Sequence, residues 1–265
     1  MVRTWWHKLF SQGQSRARVQ QRLMHKPLLE SLEDRTLLSL VAPVVYNTGQ
    51  GPVGVAVGDL RGNGRLDVVT ANTSGSVSVL LGNGDGTFQP AVNYATVGSA
   101  MAVGQLQPGG PLDIVTAGGS TVSVLLGNGN GTFRPAVHYT ADPNAGAVAV
   151  AVGDFTANGI PDIVTVNSRV TRYSHVFSYS VLAGNGDGTF HTAVTHPLSF
   201  APSSLATGVF TSNGDVSIAV GTKGGVMVLL GNGNGTFQAP VFYATEPNSA
   251  ASSILVSDLA GTGKL

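Results

Sequence analysis

The phrase LLGNGDGTF at 80–88 returns as LLGNGNGTF at 125–133, LAGNGDGTF at 182–190 and LLGNGNGTF at 229–237. A chain that repeats itself this way is built from one supersecondary unit used several times, so the period constrains the fold before any single residue does. The closing residues Phe88, Phe133, Phe190 and Phe237 stand 45, 57 and 47 positions apart. A second recurrent stretch precedes each: VAVGDLRGNGRLDVVTAN, MAVGQLQPGGPLDIVTAG, VAVGDFTANGIPDIVTVN and LATGVFTSNGDVSIAVGT. A fifth copy opens as ILVSDLAGTGKL at 254–265.

Each unit reads as four short strands, in the first copy VGVAV (53–57), DVVTAN (67–72), SVSVLL (76–81) and PAVNYAT (90–96). The runs are rich in Val, Thr and Ala, and Gly or Asn punctuates every boundary. The nearly continuous apolar first strands are expected to be buried on both faces. Four strands per unit at this period predict an all-β fold, a β-propeller of four-stranded antiparallel blades. The blades are expected at about 51–97, 98–141, 146–197 and 202–245, with the start of another at 250–265. APVVYNT at 42–48 matches the fourth strands PAVNYAT, PAVHYTA and APVFYAT, which predicts an outer strand for a further blade. The expectation is therefore four complete blades plus partial ones, a fragment of a larger ring closed by pairing the two chain ends.

These units resemble FG-GAP/VCBS-type repeats, the family of the integrin α-chain propeller, over residues 42–265. The resemblance implies a ring of seven blades. It also implies a cation loop, D-x-[DN]-x-[DN]-G-x-x-D, between strands one and two, in which alternating oxygens converge while a Gly turn closes the loop. The third copy fits best: Asp154, Thr156, Asn158 and Asp162 supply side-chain oxygens and Ile160 a carbonyl. The first keeps Asp59, Asn63 and Asp67 with Arg65 in the carbonyl position, but Arg61 brings a positive charge where an oxygen belongs. Its guanidinium either swings outward or bridges the two aspartates in place of the ion. Gln105, Gln107, Gly109 and Asp113 in the second copy, and Val209, Thr211, Asn213 and Ser217 in the fourth, read as metal-free turns. The fifth, from Asp258, is left unassigned. Two carboxylates per site imply weak structural calcium, with dissociation constants of roughly 10⁻⁴–10⁻³ M. The competing reading at each loop is a turn in which the aspartates accept backbone N–H groups.

The GNGDGTF loops carry Asp85, Asn130, Asp187 and Asn234 at one position, and that alternation points to a self-capping turn rather than a metal ligand. In an up-and-down blade these loops share one end with the cation loops, leaving the other end for partners. There the third unit is longer by seven residues, within SRVTRYSHVFSYS (168–180), which brings Arg169, Arg172, Tyr173, His175, Phe177 and Tyr179. Aromatic and Arg residues are the usual anchors of protein or glycan contacts, so this is the candidate ligand loop.

Function classes narrow by exclusion. Cysteine is absent, which removes disulfides, thiol nucleophiles and zinc–thiolate sites. His138, His175, His191 and His196 lie in different units with no acid or Ser at motif spacing, so no enzyme is expected. Net charge is zero, but residues 1–40 hold seven basic residues against three acids, leaving 11 acids against seven bases beyond them. A weakly acidic body argues against nucleic acid, and no run reaches the 18 apolar residues of a membrane span. Residues 1–41 read as a basic leader in which LEDRTLLS (32–39) resembles the LEPR-XLL-type segment of large bacterial surface proteins, with Asp34 where that pattern has Pro. The expectation is a secreted or cell-surface propeller for adhesion or interaction. The alternatives are a carbohydrate-binding propeller and an accessory propeller of a polysaccharide-acting enzyme.

Overall fold

The computed structural model describes residues 43–245 and 251–257. The leader at 1–41, residue 42, and residues 250 and 258–265 of the fifth unit lie outside the described residues. The chain divides into two compact units, Met1–Val45 and Tyr46–Leu265, and the second carries the repeats.

Four antiparallel four-stranded sheets follow one another along the chain. The first holds β1 (Pro52–Gly58), β2 (Asp67–Asn72), β3 (Ser76–Leu80) and β4 (Val92–Ala95). The second holds β5 (Ala100–Gly104), β6 (Asp113–Gly118), β7 (Thr121–Leu125) and β8 (Val137–Thr140). The third comprises β9 (Gly146–Gly153), β10 (Asp162–Val170), β11 (His175–Leu182) and β12 (Val194–Pro197). The fourth comprises β13 (Pro202–Gly208), β14 (Ser217–Thr222), β15 (Gly225–Leu229) and β16 (Val241–Ala244). Within each sheet the strands pair in chain order, as the up-and-down reading of the repeat requires. The fold is all-β and its sheets are propeller blades.

The core lies between blades. Strand side chains alternate, so Val69, Val77 and Val79 of the first blade pack against Ile114, Leu125 and Phe133 of the second. Val115, Val122 and Val124 then meet Ile163, Leu182 and Phe190. Val164, Val166 and Val181 meet Ile218, Met227 and Leu229. Each such side chain is worth about 1.5–3 kcal/mol when fully buried. The second and third strands are sandwiched on both faces, and it is they that are fully buried.

The first strands differ from expectation. β1 exposes Val53, Val55 and Val57, and no residue of β5 is fully buried. The physical reason is position: the first strands form the inner edge of the blades. Val53, Met101, Val148, Leu205 and Ile254 belong to five successive first-strand segments and line one cavity of about 380 Å³. Their apolar continuity reflects a narrow, crowded inner edge, not a two-sided core.

The expected outer strand at 42–48 also differs, since residues 43–48 form no strand. Even so, Tyr46 lies edge-on to Phe88 at 5.4 Å. Tyr94 meets Phe133 at 5.5 Å and Tyr139 meets Phe190 at 5.6 Å in the same manner. The tyrosine of a fourth strand thus clasps the phenylalanine of the following unit, and Tyr46 makes that contact without its ladder. The third blade swaps the pair. His196 stands where the others have Tyr, and its cross-strand partner is Tyr179 where the others have Val77 and Val122. The two rings stack at 4.9 Å, and Tyr179 reaches Phe237 at 5.2 Å.

Candidate functional site

The GNGDGTF loops are closed by their own side chains. Asp85, Asn130, Asp187 and Asn234 each accept the backbone N–H and the hydroxyl of the Thr two residues on. Only one oxygen is needed, which explains why Asp and Asn interchange. The second and third glycines of each loop have positive φ, as at Gly84 (86°) and Gly86 (87°). The first glycine is needed for a close approach: a Cβ at Gly82, Gly127, Gly184 or Gly231 would strike the carbonyl of Leu66, Leu112, Pro161 or Val216. The Thr87 hydroxyl and N–H hold the Asp85 carboxyl below its ordinary value, and Thr189 does the same to Asp187.

The loops between first and second strands share a different keystone. Asp67 is fully buried and accepts the N–H of Leu60 at 3.1 Å and of Gly82 at 2.8 Å. Asp113 accepts Leu106 and Gly127, both at 2.8 Å. Asp162 accepts Phe155 at 2.8 Å and Gly184 at 2.9 Å. In the fourth blade the Ser217 hydroxyl oxygen accepts Gly231 N–H alone. One side chain therefore ties the loop before β2, β6 or β10 to the GNG turn of the same blade, and in the fourth blade Ser217 keeps the bond to the GNG turn. Sequence reasoning weighed this ninth position as a cation ligand or as an acceptor of backbone N–H groups, and did not place one of its donors in the GNG turn. The signal was present: Asp113 persists in a copy whose other ligand positions carry no carboxylate. Burial pushes the Asp113 carboxyl above its ordinary value, against the opposing pull of the Gly127 and Leu106 N–H groups.

The first loop does not suit a cation. Arg61 Nη2 lies 2.6 Å from Asp67 Oδ1 and 2.6 Å from the Gly82 carbonyl oxygen, while Nε donates to Asp67 Oδ2 at 3.3 Å. The guanidinium holds Asp67 but not Asp59, so it neither swings outward nor bridges the pair. Asp59 instead accepts the N–H groups of Arg61, Asn63 and Gly64, and Asn63 accepts that of Arg65. The Gly64 bond is the main reason the Asp59 carboxyl titrates below its ordinary value.

The third loop suits a cation in part. Asp154 accepts Asn158 N–H on one oxygen and Gly159 N–H on the other, leaving a lone pair on each. Asn158 accepts Ile160 N–H on its amide oxygen and likewise keeps one lone pair. Asp162 Oδ2 is saturated by Phe155 N–H, Thr156 N–H and the Thr156 hydroxyl, while Oδ1 takes Gly184 N–H and keeps one lone pair. An ion here would draw on Asp154, Thr156, Asn158 and the Ile160 carbonyl. Ala157, at φ 51°, is the only non-glycine with positive φ among the described residues; Gly62 holds the matching place in the first loop. Among the described residues no three His, Asp or Glu side chains cluster as a metal site.

At the other end the extra residues of the third blade lengthen its central hairpin. The pairs Ser168–Phe177, Arg169–Val176 and Val170–His175 continue the β10–β11 ladder. β9 stops at Ser168 and β12 at Ser178, so a two-stranded ribbon stands beyond the sheet. Thr171 N–H donates to the Ser174 carbonyl at 2.8 Å, and Ser174 N–H donates to the Thr171 hydroxyl at 2.9 Å. Arg172 and Tyr173 are therefore the two central residues of a locked turn. Tyr173 is 91% exposed with the Arg172 guanidinium 5.9 Å from its ring centre. Arg169 donates to the Asn144 carbonyl, and the rings of His175 and Phe177 lie 6.1 Å apart. Tyr179 does not belong to this group: it is 5% exposed, held in the blade boundary by His196 and Phe237.

Residues 59–108 and 110–165 match the FG-GAP-like repeat. No curated protein sequence matches the chain. Among solved structures, a lectin of Agrocybe aegerita, studied for its recognition of non-reducing terminal N-acetylglucosamine, is similar at 24% identity and a TM-score of 0.51. That match covers 72% of this chain and 51% of the lectin. BBS1N, solved in complex with ARL6DN, is similar at 14% identity and a TM-score of 0.52, covering 77% of this chain and 59% of that one. The chain thus spans between half and three-fifths of these neighbours, and at such identities the likeness concerns the fold. No described helix is long and apolar enough to cross a membrane. Residues 59–165 are FG-GAP-like repeats, set in a chain whose sheets are propeller blades.

Proposed function

We propose that the protein is a non-enzymatic propeller of the cell exterior, an adhesion or interaction scaffold that meets its partners through the end bearing the β10–β11 hairpin. The observation that carries this reading is the contrast between the two ends. At the cation-loop end the carboxylates accept N–H, hydroxyl or guanidinium groups from the loops around them. At the hairpin end Arg172 and Tyr173 project from a turn that the Thr171 hydroxyl locks in place. Rigid aromatic and guanidinium groups held clear of the sheet are what recognition surfaces use. The test is to express the tagged full chain in its own cells, digest intact cells with protease, and fractionate. Loss of the tag from intact cells, or its recovery in the medium, is expected; a protease-resistant cytosolic pool overturns the reading.

Calcium belongs to this proposal only at the third loop. Asp154, Thr156, Asn158 and the Ile160 carbonyl would hold the ion, which would brace the turn and supply no chemistry. Millimolar calcium is expected to raise the melting temperature by a few degrees, EDTA to reverse it, and Asp154→Ala to abolish the response. An identical melt with and without calcium removes the ion from the proposal and leaves the scaffold reading standing. A second reading, a carbohydrate-binding propeller, is favoured by Tyr173, whose exposed ring offers a face on which a sugar can stack.

A further inference from the structure

Charge is sorted by end. Among the described residues, Asp59, Asp67, Asp85, Asp113, Asp154, Asp162, Asp187 and Asp215 all lie in or beside the loops at one end, against Arg61, Arg65 and Arg134. The opposite end holds Arg169, Arg172 and Lys223 among the described residues, and its one described acid, Asp142, is buried and accepts the Ser178 hydroxyl and Asn144 N–H. Eight acids against three bases give −5 at the first end; three bases against one acid give +2 at the second. Among the described residues this end has no exposed carboxylate to neutralise its cations.

An aromatic ledge adjoins these cations. Phe177 accepts Leu198 N–H on its backbone carbonyl, and two residues on, Phe200 stacks on Phe242 with centroids 5.0 Å apart. Both rings are partly open to solvent, at 45% and 38%. Phe242 in turn lies against Gly225, beside the turn that carries Lys223: a Cβ on that glycine would meet the Phe242 ring. Rings thus run from Tyr173, past Phe177, to Phe200 and Phe242, with Arg172 at one end of the row and Lys223 at the other.

The geometry points to an acidic polysaccharide as the ligand of this end, a chain of sugar rings carrying carboxylate or sulfate groups. The inference rests on the carbohydrate-binding reading and names its substrate class. Sugar rings stack their C–H faces on aromatic faces, while the planar guanidinium of Arg172 offers paired N–H donors to an oxyanion. A neutral glycan would leave the cations without a partner, and an acidic peptide would leave the ring faces unused.

The test uses the full chain and immobilised polygalacturonate, with dextran sulfate, neutral dextran and poly-glutamate beside it. Both acidic polysaccharides are expected to bind and neutral dextran not to. Raising salt from 0.05 to 0.5 M should weaken binding at least tenfold, as screening shortens the reach of the cations. Arg172→Gln and Tyr173→Ser each should weaken it about tenfold with an unchanged melting temperature, since both side chains stand clear of the core. Arg134→Gln, at the other end, should leave it unchanged. Equal binding to neutral dextran, lost in Tyr173→Ser, overturns the acidic ligand and keeps the carbohydrate-binding reading. Poly-glutamate binding as tightly as polygalacturonate makes the site a plain anion attractor and overturns the proposal. So does full binding by both hairpin variants, or no binding to any acidic polysaccharide.

Discussion

At the scale of single residues, Asp113 shows how little of a motif is needed to hold its loop. Its neighbours at the ligand positions are Gln105, Gln107 and Gly109, yet it stays buried between two N–H groups. Removing the carboxylate leaves two buried donors unsatisfied, each costing about 1–3 kcal/mol. Asp113→Ala is therefore expected to lose about 2–5 kcal/mol in urea unfolding, and Asp113→Asn, which keeps one acceptor, to lose less. An Asp113→Ala variant as stable as the parent would refute the keystone. The exposed aspartates act through pH instead. Asp59, Asp85 and Asp187 have folded pKa values depressed below the ordinary 3.8. Their contribution is present above that value and is lost as pH falls through the lower folded values. Asp113 runs the other way: its raised folded value makes its protonated form the more compatible with the fold, so its effect turns unfavourable as pH rises through that value. Replacing Asp85 and Asp187 by Asn, as positions 130 and 234 already have it, should flatten the loss of stability below about pH 4, because Asn accepts the same Thr donors without titrating. Melting followed from pH 5 to pH 2 checks this, and an unchanged acid limb would count against it.

At the scale of elements, the residues of the Tyr–Phe clasp recur visibly in the sequence, but their pairing across units comes from the structure. PAVNYAT, PAVHYTA and APVFYAT announce a tyrosine, and GTF announces its partner one unit on. In the third blade the same logic was written differently. His196 takes the Tyr position, and the ring moves across the ladder to Tyr179. Counted by position in the loop, Tyr179 looked like an exposed ligand residue; counted by cross-strand pairing, it is the displaced clasp. The two residues should be coupled accordingly. Tyr179→Val alone removes the contact to Phe237 and is expected to cost about 2–4 kcal/mol. Adding His196→Tyr restores the arrangement of the other blades and should recover about 1 kcal/mol or more of that loss. Strict additivity in the double-mutant cycle would show that the swap is not a compensation.

At the scale of the whole repeat unit, 46–265, the fold was legible because its period is long, its turns are glycine-marked, and each strand run is short. Three things were not. The burial of the first strands could not be read from composition, since Val-rich runs serve a narrow inner edge as well as a two-sided core. Residues 43–48, expected as part of an outer strand, keep the clasp residue Tyr46 without forming a strand, because the ring contact to Phe88 does not require the ladder. The sorting of charge by end was implicit in the alternation of loops but appears only once all loops of one kind are placed together. The same arrangement makes stability uneven. Three separate apolar clusters join four blades, so the middle blades are held on two faces by tightly buried clusters. β1 exposes its three valines and β16 exposes all four of its residues, with Tyr243 59% open and, among the described residues, no phenylalanine against it. Opening these strands uncovers little apolar surface, whereas opening β6 or β10 breaks two boundaries at once. In native-state hydrogen exchange on this chain, amides paired in β6 and β10 should exchange only through global unfolding. Those of β1 and β16 should exchange at least tenfold faster by local opening. Uniform protection across all four sheets would mean that the blades open only together and that the exposed faces carry no weakness.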